Sequence, residues 1–298
     1  MSSRPLTADS ARVVQVVEST LGQGCWTPRL ISRNPDGQRV YVVSRPGRAV
    51  IAKLRPDTAS TRDVEALSQL SARHFATLRV PAAIMQDSDP GILLMERIAG
   101  RPLDGLDPSP SAESFERVGR ALRELHESGV DLGRPLGLAD HIAQLIRPSL
   151  DALAEWDVDT RHLVGRFLEA AARLDRIVTP IAPIHRDFQL RQLFEDGGAV
   201  GVVDWDDCGT GDPAFDVAYF ATYLRNHLGV QAAQAGIEAF FRGYAPSDET
   251  RSRLPVYEAF NYLRRACRRI RLREPGWDQS VANMMGCAAQ ALDRVRDD

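Results

Sequence analysis

Hydrophobic residues change their spacing along this chain, and the change divides it. Over residues 26–54 they gather in short strand-like runs: Arg39-Val-Tyr-Val-Val43 and Arg48-Ala-Val-Ile-Ala-Lys53 flank Arg45-Pro-Gly-Arg48, which predicts a β-hairpin. Ser60 followed by Asp63 has the form of a capping box, and Asp63, Leu67 and Leu70 then share one helical face, so a helix of about three turns is expected next. Gly91-Ile-Leu-Leu-Met95 predicts a further strand, and Gly100 and Pro102 mark a connector. From there the spacing becomes helical. Ser109-Pro110 suits a helix start, with Phe115, Val118, Leu122 and Leu125 on one face up to Gly129, and residues 138–177 and 214–296 repeat the pattern. The exception is 182–204, where a loop leads into Gln192-Leu-Phe-Glu195, Asp196-Gly-Gly198 and Ala199-Val-Gly-Val-Val-Asp204, a hairpin inside a helical region. The expected class is α+β, with a β-rich lobe over 1–99 and a helical lobe over 100–298.

Composition narrows the function. The chain has 298 residues and a net charge of −3, so it offers no general attraction to nucleic acid or to an anionic membrane. No apolar run reaches membrane-spanning length and the first residues lack a signal peptide's apolar core, which points to the cytoplasm. The four cysteines lie far apart and suggest neither a disulfide framework nor a zinc site. Of the 37 basic residues only Lys53 is lysine, so it is the one place where a compact ammonium replaces the planar guanidinium.

The second hairpin carries candidate chemistry. Pairing Glu195 with Ala199 sets Gln192 opposite Val202, which brings Asp187, Gln192 and Asp204 to one end of the ribbon. Two carboxylates and an amide are all oxygen donors, suited to Mg²⁺, which takes one or two carboxylates together with substrate phosphates.

Ile184-His-Arg-Asp-Phe-Gln-Leu-Arg-Gln-Leu193 and Gly201-Val-Val-Asp-Trp-Asp-Asp-Cys-Gly-Thr-Gly-Asp-Pro-Ala-Phe-Asp-Val-Ala218 resemble the catalytic and metal-binding segments of the aminoglycoside phosphotransferase family. Lys53, the capped helix, the connector Leu93–Leu103 and Leu125-His-Glu-Ser-Gly129 follow in the same order. The resemblance implies a protein-kinase-like, two-lobed fold and transfer of a phosphoryl group from ATP or GTP, with Mg²⁺, to the hydroxyl of a small molecule. It implies Asp187 as the base that orients and deprotonates the acceptor, His185 as a brace for the loop, Asp204 with Gln192 on the metal, and Lys53 on the nucleotide phosphates. Asp63, or next Glu65, would pair with Lys53. The backbone of Glu96 and Ile98 would meet the adenine, with Met95 packing on it; Asp36-Gly37-Gln38 would cover the phosphates, and Asp216 would tie down the catalytic loop.

Three positions depart from the family pattern. Gln192 stands where most relatives have Asn, Arg186 replaces a glycine, and the phosphate-covering loop holds a single glycine. The rival reading is a nucleotide-binding module that has lost catalysis. Arg186 restores the His-Arg-Asp of protein kinases, yet only eleven residues separate Asp204 from Asp216, too few for a peptide platform, so a small alcohol is expected: an antibiotic such as an aminoglycoside, a sugar or an amino alcohol. The acidic residues Asp206, Asp207 and Asp212 suit either a cationic acceptor or the outer shell of a metal site. The six arginines of 264–273 alternate with Leu263, Cys267 and Ile270 and read as a solvated helix face. His126 and His141, with no obvious constellation, read as structural, and the chain is expected to be a monomer or homodimer.

Overall fold

The computed structural model describes residues 7–34, 37–55, 62–87, 91–105 and 110–295. The elements run α1 (Ala8–Leu21), β1 (Thr27–Arg33), β2 (Arg39–Arg45), β3 (Arg48–Leu54), α2 (Arg62–Ser71), β4 (Leu78–Arg79), β5 (Ala83–Asp87), β6 (Ile92–Glu96) and β7 (Arg101–Pro102). They continue with α3 (Ala112–His126), β8 (Pro135–Leu136), α4 (Leu138–Leu145), α5 (Asp151–Ala154), α6 (Val158–Leu174), β9 (Ala182–Ile184), β10 (Leu193–Asp196), β11 (Ala199–Val202), β12 (Gly209–Gly211), α7 (Ala214–Leu228), α8 (Val230–Tyr244), α9 (Asp248–Leu272) and α10 (Trp277–Leu292). The fold is α+β, as the spacing predicts. Two compact units form: Met1–Arg101 with Phe194–Asp206, and Pro102–Leu193 with Asp207–Asp298. The hairpin expected among the helices thus groups with the β-rich unit, because β11 pairs in parallel with β4, Val200 opposite Leu78.

In the first unit a five-stranded sheet has the order β1-β2-β3-β6-β5. The predicted hairpin is β2–β3, with Arg39 opposite Leu54 and Arg45 opposite Arg48. Strand alternation sends Tyr41, Val43, Val50, Ala52, Ile92 and Leu94 to one face. There they meet Val13, Val16 and Val17 of α1, a helix absent from the elements expected above. Lys53 lies on the opposite face, directly across from Leu93, as Ile51 is from Met95. Of the capping box before α2, Ser60 and the side chain of Asp63 lie outside the described residues; the helix buries Ala66, Leu67 and Leu70 as its spacing requires.

In the second unit, Ser111 rather than Ser109 caps α3: its hydroxyl accepts from the backbone N–H of Ser114 at 3.1 Å. Phe115, Val118, Leu122 and Leu125 are all buried. α3 packs on α8 so closely that a Cβ on Gly243 would stand 1.9 Å from the Glu116 carbonyl oxygen, and one on Gly119 2.2 Å from that of Phe240. The first eleven residues of α7 are all buried, which makes it the central helix of this unit. A three-stranded sheet, β8-β12-β9, fixes the end of β9 from which the segment beginning at His185 departs. Among the described residues, no helix is long and apolar enough to cross a membrane.

Candidate active site

In the first unit, Lys53 is the hub. Its side chain is buried, and Nζ donates to Asp204 Oδ1 at 2.9 Å and to Asp206 Oδ1 at 2.6 Å. Burial by itself would lower the pKa of the ammonium, but the two carboxylates outweigh it and raise the pKa above the ordinary lysine value. Asp206 is in turn gripped by Arg55 at 3.1 Å and by Gln38 Nε2 at 2.9 Å. Burial pushes its carboxyl up, yet Lys53 above all, with Gln38 and Arg55, holds it below the usual range. Asp206 is therefore spoken for rather than poised to attract a cationic acceptor. Among the described residues, the carboxylates that meet Lys53 come from the stretch after β11; of the two candidates on α2, the side chain of Asp63 lies outside the described residues and Glu65 is exposed.

Two features of the expected nucleotide site are local. Met95 shares the sheet face of Lys53, and Gly201 in β11 makes room for Ile98: a Cβ there would stand 2.2 Å from Ile98 Cγ2. Glu96 uses its own N–H on the carbonyl of Ala82 at 2.9 Å. In the loop between β1 and β2, Asp36 lies outside the described residues. Gly37 turns the chain with φ +91°, its N–H donating to Asn34 O, and Gln38 follows, reaching Asp206. Asp204 itself sits at φ +68°, a left-handed backbone that aspartate tolerates better than most side chains. Its side chain keeps 39% of its surface exposed.

In the second unit the segment after β9 is clamped from below. Asp216 on α7 is fully buried; its Oδ2 accepts from His185 N at 2.6 Å and its Oδ1 from Arg186 N at 2.8 Å. His126 Nε2 also meets Oδ2, at 3.2 Å, and Tyr244 Oη contacts the other ring nitrogen at 2.8 Å. His126 therefore has the constellation that the sequence did not reveal. These two backbone bonds hold Arg186 at φ +67°, a left-handed angle that glycine adopts without cost and arginine does not. The Arg186 guanidinium donates to the Asp207 carbonyl at 3.0 Å and to Gln144 Oε1 at 2.9 Å. His185 is wholly buried, with Nδ1 accepting from Asp187 N at 3.3 Å.

The carboxylate of Asp187 then collects donors. Tyr219 Oη donates to Oδ1 at 2.6 Å, Gln189 Nε2 lies 2.7 Å from both oxygens, and Gln192 Nε2 reaches Oδ2 at 3.2 Å. Arg191 adds a longer contact of 3.5 Å. Burial and then the Asp187 charge push the Tyr219 hydroxyl well above its ordinary pKa, so it stays a donor. Sequence reading missed both Tyr219 and Gln189. Tyr219 stands three residues after Asp216, a spacing that puts two side chains on one side of a helix and could have signalled it. Asp187 and Tyr219 line a cavity of about 600 Å³. Asp212, the third acid considered for a cationic acceptor, is instead locked to Arg253 by bonds of 2.7 and 3.1 Å. Among the described residues no cluster of three His, Cys, Asp or Glu side chains makes a ready cation site.

Residues 29–254 match the model of a phosphotransferase enzyme family, APH. The chain belongs to this family. It is a small-molecule phosphotransferase, and the catalytic-segment motifs quoted above fall inside the matched span. No curated protein matches the sequence significantly. Solved structures share the phosphotransferase's fold at low identity. An amicoumacin kinase in complex with AMP-PNP, Ca²⁺ and Ami aligns with a TM-score of 0.70 and 14% identity, over 96% of this chain and 94% of that one. The choline kinase of Streptococcus pneumoniae gives 0.66 at 16%, over 96% and 99%. A spectinomycin phosphotransferase in complex with ADP and spectinomycin gives 0.63 at 13%, over 98% of each.

Proposed function

We propose that this phosphotransferase moves the γ-phosphoryl group of ATP or GTP to the hydroxyl of a small alcohol, with Asp187 as the base. The observation that carries the reading is the state of that carboxylate: oriented by Tyr219, Gln189 and Gln192, yet lining a cavity of substrate size. An acceptor hydroxyl hydrogen-bonded to Asp187 gives its proton to the carboxylate as its oxygen bonds to the γ-phosphorus. The bond between that phosphorus and the bridging oxygen breaks, and the nucleoside diphosphate leaves with the electron pair. Lys53 holds the nucleotide phosphates, with Met95, Glu96 and Ile98 at the base and Gly37 and Gln38 in the covering loop.

The donor chemistry suits Mg²⁺. The hard, partly exposed carboxylate of Asp204 and the amide oxygen of Gln192 are the groups that would hold it, and a hard cation that keeps water and phosphate oxygens needs no cluster of three acids. When bound, it neutralises charge gathering on the phosphate oxygens. His185 and Asp216 touch no substrate in this scheme; they position Asp187.

The test is Mg²⁺-dependent nucleotide turnover by the wild type and by Asp187→Ala, with and without pooled alcohols. Turnover stimulated by one pool and lowered at least a hundredfold by the substitution is expected. Nucleotide binding without turnover in every pool would favour the non-catalytic module, and turnover that survives Asp187→Ala would remove the aspartate from its role.

A further inference from the structure

The six arginines of 264–273 are not one solvated face. Asn261, Arg264, Arg265 and Arg268 fall at i, i+3, i+4 and i+7 along α9, a single stripe, and all four line the cavity that holds Asp187 and Tyr219. Arg264 and Arg265 are half-buried there, with their guanidinium carbons each 5.5 Å from the ring centres of Tyr219 and Tyr223.

Two members of the stripe hold unsatisfied polar atoms. Asn261 is only 1% exposed, and neither its amide nitrogen nor its amide oxygen has a hydrogen-bond partner; the same holds for one buried guanidinium nitrogen of Arg264. Burial, with Arg264 and Arg268 adding repulsion, lowers the pKa of Arg265, as expected where cations crowd without enough counter-charge. The cavity wall carries seven arginines against four carboxylates, so cations remain in surplus even where three of those carboxylates have partners within the wall. Asp187 takes Tyr219 and Gln189, Asp104 faces His227 at 3.3 Å, and Glu274 pairs with Arg269.

We propose that the acceptor alcohol carries an anionic group, a carboxylate or a phosphate, and that Arg264 and Arg265 bind it with Asn261 beside them. Anionic oxygens accept from both guanidiniums and from the Asn261 amide nitrogen, while the Asn261 amide oxygen accepts from a second hydroxyl of the ligand. A cationic acceptor would add charge to a wall that is already in surplus, and a neutral one would leave the arginines uncompensated. Arg268, exposed at the cavity rim, draws the anion inward. The inference rests on the reading of Asp187 as the base that faces the acceptor.

The test uses the full chain at constant ionic strength. Calorimetric titration with gluconate, glycerate and glucose 6-phosphate as anionic alcohols, glucose as neutral, and kanamycin and choline as cationic is run in the presence of Mg²⁺ and AMP-PNP. Nucleoside diphosphate release is followed in parallel with Mg²⁺ and ATP. At least one anionic member is expected to bind, with affinity falling tenfold or more in Arg264→Gln and Arg265→Gln and about threefold in Arg268→Gln. Arg268→Gln changes an exposed side chain and so keeps the test alive if a half-buried variant unfolds. Carboxylates binding without phosphates, or the reverse, identifies the anion. The proposal is overturned if no anionic member binds, if a cationic or neutral member binds better, or if the arginine variants leave anion binding unchanged. Anion binding that depends on the arginines but gives no turnover would sink the catalytic reading alone. Turnover that only a cationic alcohol stimulates would sink this inference alone.

Discussion

Replacing Asp216 by Asn removes one charge and one acceptor from a fully buried site while keeping the side chain's shape. In the native protein the carboxylate accepts from His185 N at 2.6 Å, Arg186 N at 2.8 Å and His126 Nε2 at 3.2 Å, and each of its oxygens serves a backbone N–H. Whichever oxygen becomes an NH₂, one backbone donor then faces another donor. A hydrogen bond to a charged group contributes about 1.5–3 kcal/mol, and a buried donor left unmet costs about 1–3 kcal/mol more. Asp216→Asn should therefore destabilise by about 3–5 kcal/mol, which at about 2–4 °C per kcal/mol is a fall in Tm on the order of 10 °C. The left-handed backbone of Arg186 costs about 1–2 kcal/mol and is held by these same bonds, so the segment around Asp187 should relax. A loss of kcat of about a hundredfold is expected, with the nucleotide KM within about threefold because the proposed nucleotide contacts are on the other unit. Urea unfolding followed by circular dichroism, and steady-state turnover of the folded variant, measure the two effects. Asp216→Asn protein with stability within about 1 kcal/mol of wild type, or with kcat within threefold, would refute the clamp. The pH dependence gives an independent check. Burial pushes the Asp216 carboxyl up, but the His126 hydrogen bond and the charges of His126 and His185 hold it below its ordinary value of 3.8. Its stabilisation is thus present above that value and lost as the pH falls through the depressed one, a loss the Asn variant does not show.

Three further outcomes follow from single contacts. His141 is fully buried with both ring nitrogens unpartnered, and burial, aided by Arg186, lowers its pKa from 6.5 to about 3. It stays neutral when folded while the unfolded chain takes up a proton, so stability should decline as the pH falls from about 6.5 toward 3, by at most about 5 kcal/mol. His141→Leu should flatten that slope in unfolding curves taken across the range, and an unchanged slope would assign it elsewhere. Gly243→Ala would drive a methyl against the Glu116 carbonyl, so α3 and α8 must separate; a loss of about 2 kcal/mol or more in chemical unfolding is expected, and a neutral effect would contradict the tight crossing. Tyr219→Phe removes the shortest hydrogen bond to Asp187 and should lower kcat about tenfold with the fold intact by circular dichroism; unchanged kcat would mean that Tyr219 does not orient the base.

Local pattern by itself determined much of this protein. Two short apolar runs around the Pro-Gly turn of 39–54 specified the β2–β3 hairpin, 3.6-residue spacing specified α3 and α7–α10, and the motifs around His185-Arg-Asp187 and Asp204 carried the family. These are encoded within a few residues, because side-chain direction repeats every two positions in a strand and nearly every four in a helix. Tertiary structure decided the partners. Lys53 meets Asp204 and Asp206 from more than a hundred positions away, and Asp216 closes on His185 from thirty-one. The two-residue strand β4 exists because β11 lies beside it. Periodicity made the arginines of α9 a surface stripe like any other. Only packing against Tyr219 and Tyr223 half-buried two of them beside the candidate base, since a helix's pattern says which residues share a face and nothing about what that face meets.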